Sequence, residues 1–159
     1  MDLFNNSKLL YDARKSNLSA EEIWKLFNDN PHNINDFINL YLVYDGVFFP
    51  KQAMMFRSKF YDIPRGEPDK VEVGFFLNFS DIITLIKLMK QNNPELTPFI
   101  LAHIPFADDG CGNDIWIEIS TGIIKVFYHE YGLDEGLIMA APSFNDFCSS
   151  LENWENTFV

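Results

Sequence analysis

Between Ala102 and Ile119 the chain reads AHIPFADDGCGNDIWIEI, which puts Asp108, Asp109, Cys111, Asn113 and Asp114 within seven residues. Side chains of these types can ligate a metal, move a proton or attack an electrophile. Each chemistry makes a demand on spacing. A calcium loop of the EF-hand kind wants oxygen ligands at its third and fifth positions. Counted from Asp108, those positions are Gly110 and Gly112. A phosphate cradle wants its glycines to open a helix. Here they run into the alternating pattern of a strand. Zinc wants several close Cys or His ligands, whereas Cys111 is alone and His103 lies before the turn. A carboxylate pair drawn from Asp108, Asp109 and Asp114 stays open as acid/base or metal chemistry in a hydrolase or transferase. The structural reading is a tight turn. Two glycines supply positive φ, and the Asp and Asn side chains bond the turn backbone. His129 beside Glu130 could act as a base, but no matched partner accompanies it, so a structural or exposed histidine is the expectation.

These residues need elements to position them. SAEEIWKLFNDN opens with a capping box, Ser19 and Glu22, and predicts a helix over 19–30. NINDFINLYLVYDG sets Ile34, Phe37, Ile38, Tyr41 and Leu42 on one face of a helix over 34–44, with Gly46 at its stop. SDIITLIKLMKQNN predicts a helix over 80–92, its Lys87 and Lys90 on the exposed side, and PSFNDFCSSLENW one over 143–154. Strands are expected near 47–57, 71–77, 99–106, 114–119 and 123–129, and GLIMAA can supply another. The unbroken apolar run FILAHIPFA reads as a strand buried on both faces. Met54, Met55 and Phe56 read as core filling. Trp116 alternates with Ile115 and Ile117, so it is either an exposed anchor or buried beneath helices. Strands bracketed by helices without βαβ alternation predict a single α+β domain over 1–159. Its sheet should be mostly antiparallel, of about five to six strands, with helices toward both ends of the chain.

Composition narrows the function classes. The 159 residues are 47% hydrophobic and carry a net charge of −11. No apolar run approaches the roughly 20 residues that span a bilayer. The N-terminus lacks a signal-peptide pattern. A cytoplasmic protein with Cys111 and Cys148 as free thiols is therefore expected. The charge is uneven. Residues 1–107 hold 13 acids against 11 Lys and Arg, whereas residues 108–159 hold 10 acids against Lys125 alone. Such a field repels nucleic acid and anionic membrane and attracts basic partners.

LAHIPFADDGCGNDIWIEISTGIIKVFYHE, followed by IMAAPSFNDFCSSLENW, resembles the signature of the SUKH superfamily (Smi/Knr-like domains). The upstream FINLYLVYDGVFFP resembles that family's other landmark, with Asp45 where an Asn is usual. Gly110, Gly112, Gly122 and Phe144 fall on fold positions of the pattern. The family includes fungal regulators of cell-wall synthesis and bacterial immunity proteins that neutralise polymorphic toxins. The resemblance implies a non-catalytic binding module with no cofactor and no shared catalytic set. Its expected partner is a basic protein, a cognate toxin domain, with nucleases the class that suits the charge. A regulatory scaffold is the alternative, and a metal-dependent enzyme near Asp108 to Asp114 a more distant one. Asp108, Asp109, Asp134 and Glu135, placed in turns and loops, together with Trp116, are the candidate contact residues.

Overall fold

A computed structural model describes residues 3–28 and 34–154. Among them eight strands form one antiparallel sheet. These are β1 (Asp12–Lys15), β2 (Tyr44–Phe56), β3 (Lys70–Phe76), β4 (His103–Asp108), β5 (Asp114–Glu118), β6 (Ile124–Phe127), β7 (Leu137–Ala141) and β8 (Glu152–Asn153). The first seven lie side by side in chain order, and β8 pairs with β2. The α+β class and the antiparallel sheet are as expected, and β1 and β8 enlarge the sheet.

The helices are α1 (Ala20–Leu26), α2 (Asn35–Val43), α3 (Phe79–Asn92), α4 (Thr97–Ala102), α5 (Gly132–Gly136) and α6 (Phe144–Ser149). Both halves of the capping box form at α1, where Ser19 and Glu22 satisfy each other's backbone donors. Residues 29 and 30 of the expected first helix lie outside the described residues. Asn78 caps α3 by accepting from Asp81 N, so the helix opens at Phe79 and not at 80. The chain passes from α2 straight into β2. Gly46 therefore lies in a strand at φ 100° instead of at a helix end.

Two departures have clear causes. The run expected as one strand over 99–106 divides into α4 and β4. Pro98 sits in the first turn of α4, where its lost N–H costs nothing and its φ suits a helix. An unbroken apolar run fits either structure. At the C-terminus, α6 stops at Ser149. Ser150 Oγ donates to Asp146 O at 2.6 Å and Ser149 Oγ donates to it at 3.3 Å. Such back-bonding draws the chain out of the helix. Leu151 still reaches the core, and Asn153 ties the N-terminal segment down. Its side chain accepts from Leu10 N at 2.9 Å and donates to Lys8 O at 2.7 Å.

The sheet carries a core on each face. On one side α1, α2 and α6 deliver Ile23, Phe37, Tyr41, Phe144 and Phe147 onto Phe76, Phe106 and Ile115. Phe144 lies 5.2 Å from both Phe37 and Phe106, ring centre to ring centre. Deleting such a ring costs about 3–5 kcal/mol. On the other side Met89 of α3 and Phe99 and Ile100 of α4 cover Trp116 and Phe127. Met54 and Met55 are fully buried. Past β2, Arg57 is buried and spends its guanidinium on three acceptors: Met139 O at 2.5 Å, Pro68 O at 2.7 Å and Glu67 Oε2 at 3.1 Å.

Candidate functional site

The segment from Asp108 to Asp114 is a hairpin loop between β4 and β5, and its polar groups are largely turned on the loop itself. Asp108 Oδ1 accepts from Gly110 N at 2.6 Å. Asp109 Oδ1 accepts from Cys111 N at 2.7 Å and Asn113 N at 3.1 Å, while its Oδ2 accepts from Asn113 Nδ2 at 2.8 Å. Gly110 and Gly112 stand at φ 86° and 91°, the left-handed region that favours glycine. An irregularity in β2 between Phe48 and Ala53 frees Gln52, whose Nε2 donates to Asp109 O at 2.7 Å. The turn is thus held from a second strand as well as from within.

Two polar clusters stand at the two ends of β5, one of them beside this turn. His129 Nε2 lies 2.5 Å from Asp114 Oδ2, and the ring stacks on Phe127 at 4.1 Å. The Asp114 carboxylate, helped by Asp108 and Asp109, holds the His129 pKa above the ordinary histidine value despite partial burial. Burial, with Asp109 and Asp114 adding, pushes Asp108 up against the opposing bonds from the turn backbone. Glu130, the partner weighed from the sequence, takes no part in the His129 pair. Among the described residues the His129 ring bonds no hydroxyl or thiol that an acid–imidazole pair could activate.

At the opposite end of β5, Lys125 Nζ bonds Glu118 Oε2 at 2.6 Å and His103 Nε2 at 3.0 Å. His103 Nδ1 faces Phe99 O at 2.9 Å. A carbonyl only accepts, so Nδ1 carries the proton and Nε2 receives from lysine. Burial keeps His103 below the ordinary histidine value. Burial also pulls Glu118 upward, but bonds from Lys125 and Thr121 outweigh it and hold the carboxyl below its usual range. This is a neutralised ion-pair network packed under α4. Among the described residues no three His, Cys, Asp or Glu side chains converge as metal ligands.

The candidate contact residues separate. Trp116 is fully buried between α4 and the sheet, so it is not an exposed anchor. Cover on the second sheet face puts it inside. Asp109 is only 7% exposed, because three bonds from the turn draw its carboxylate inward and Gln52 of β2 holds its carbonyl, and this corrects its placement in solvent. Asp108 is half-buried. It stands in the middle of a row that the strand register draws across the sheet, from Asp12 through Phe48, Phe75, Asp108, Asp114 and Phe127 to Leu137. Asp134 and Glu135 are exposed on α5, as expected. Cys111 is exposed and Cys148 buried, and they are not bonded to each other.

The connection from β6 to β7 carries two residues that the sequence reading passed over as contacts, Glu130 and Tyr131. It makes a 3-10 turn over His129–Tyr131 and then α5. Its base is closed by Tyr128 N donating to Gly136 O at 2.8 Å. Gly136 is required there by space. A Cβ would stand 2.2 Å from Tyr128 O. Leu133 packs toward the second core, and Glu130, Tyr131, Asp134 and Glu135 face solvent. The glycine beside them, Gly132 at φ 70°, was the available sign of a turn at this place. No family model, curated protein or solved structure matches this chain.

Proposed function

We propose that this protein is a non-catalytic binding module of the SUKH type, an immunity protein that neutralises a basic toxin domain, with a nuclease the toxin class its charge suits. The observation that carries the reading is the charge distribution: 10 acids against one lysine from residue 108 onward. Asp134 and Glu135 stand in solvent, and among the described residues neither forms an ion pair. A nuclease must hold phosphate and so presents a basic groove. An acidic inhibitor meets it with electrostatically steered association. The motif order from Ile104 to Trp154 gives the reading its family.

The test replaces Asp108→Asn, Asp134→Asn and Glu135→Gln together and leaves Asp109, which holds the turn. The reading frame beside this chain's own is cloned, and association with its purified product is followed by stopped flow across a salt series. Removing three charges should slow association by roughly tenfold at low salt and flatten its salt dependence. An unchanged rate and slope would reduce the acidic surface to a solubility feature.

A further inference from the structure

We infer that the groove between the 66–68 loop and the β6–β7 connection is where an arginine- or lysine-bearing segment of a protein partner docks. The inference rests on the basic-partner reading above and gives it an address. The groove encloses about 790 Å³. Its apolar surface comes from Tyr128, Tyr131 and Ile138, and its carboxylates from Glu67, Glu130 and Glu135. Among the described residues no Lys or Arg lines it.

Three features fit a basic segment rather than an apolar one. Tyr131 is 60% exposed and offers a flat aromatic face on which a guanidinium can stack. Glu130 and Glu135 are exposed, and among the described residues neither has an ion-pair partner. Only Glu67 is paired, to Arg57. The floor is apolar enough to pack the methylene stem of a long basic side chain while the carboxylates meet its head. The groove is also built in advance. Arg57 bonds Pro68 O on one wall and Met139 O, next to Ile138, on the other. The Tyr128–Gly136 bond closes the base of the connection that carries Glu130 and Tyr131. Little ordering cost remains for binding.

The experiment titrates the full chain, ¹⁵N-labelled, at low ionic strength with acetyl-triarginine amide, and with acetyl-tricitrulline amide as the uncharged match. Two variants are compared. Tyr131→Ala/Glu135→Gln alters the groove. Asp12→Asn/Asp81→Asn removes two exposed charges elsewhere and serves as the control. Thermal melts establish that both remain folded. Triarginine should give its largest amide shifts at residues 66–68 and 128–138. The groove variant should weaken it at least fivefold and the control less than twofold, and the citrulline peptide should not bind at the groove. Shifts concentrated on other acidic positions, or equal losses in both variants, would overturn the groove and leave the basic-partner reading standing. Absence of triarginine binding anywhere on the chain would overturn both.

Discussion

Gly136→Ala should destabilise the fold although it adds one methyl group. Gly136 is not among the positive-φ glycines, so space alone decides. The new Cβ would meet the Tyr128 carbonyl oxygen at 2.2 Å, and the carbonyl is backbone that cannot swing aside. Reaching an ordinary contact requires the two segments to part by roughly 1 Å or more. The Tyr128 N to Gly136 O bond, 2.8 Å long, joins the same two segments and would stretch or break. Overpacking costs about 1–3 kcal/mol. The lost bond adds about 0.5–1.5 kcal/mol. Alanine's smaller unfolded-state entropy returns about 0.4–1 kcal/mol. The sum centres near 2 kcal/mol, which in a chain of this size lowers Tm by about 4–8 °C. Gly112→Ala is the comparison. Nothing lies within 4 Å of its Cβ, so only the strain of φ 91° remains, about 1–2 kcal/mol. Calorimetry on both variants checks the reasoning. A Gly136→Ala protein melting within 1 °C of the parent would show that the connection yields freely, and the preformed groove would go with it.

His129→Gln should lose stability in a pH-dependent way. A histidine whose folded pKa is raised contributes fully below its unfolded value of about 6.5 and loses that contribution as pH rises through the folded value. The Tm gap between parent and variant should therefore be widest near pH 5 and close by pH 9. A gap that is constant, or that widens with pH, refutes the Asp114 pairing. The thiols should also differ: Cys111, exposed, should react with a disulfide reagent in the native protein, and Cys148, fully buried with its pKa pushed well up by burial, only after unfolding. Equal native rates would contradict the placement of Cys148.

Legibility followed the kind of signal each residue carried. The turn at Asp108–Asp114 could be read because Asx side chains and glycines act locally, and both glycines take the φ expected of them. The central strands β3, β5 and β6 could be read because alternation or apolar runs of strand length announce them. Thr97–Ala102 misled because FILAHIPFA gives no period to separate helix from strand, although Pro98 marked where a helix could begin. β8 and β1 escaped notice because Asp12–Lys15 and Glu152–Asn153 are polar and short, and their pairing is decided by what β2 leaves open. Trp116 could not be placed because its cover comes from α3 and α4, distant in sequence. Asp109 and Asp134 look alike as loop carboxylates. Only the geometry of the turn separates the one that staples backbone from the one that faces water. Glu130 and Tyr131 stand out as contact candidates only through the loop at Gly66 that faces them from a distant part of the sequence.

The Arg57 side chain has a consequence for how the molecule behaves among its own kind. A sheet built in chain order ends in two margins, and an unpaired margin is a template on which another chain can add a strand. At one margin β1 is only four residues long, carries Arg14 and Lys15 and is irregular between Ala13 and Lys15. Charge, brevity and a bulge all discourage pairing there. At the other, β7 is apolar, with Met139 44% exposed, and has nothing but its backbone to attract a newcomer. Arg57 occupies the Met139 carbonyl with a charged donor that no incoming amide easily displaces. One buried guanidinium thereby takes up an acceptor that strand-by-strand growth at this margin would need.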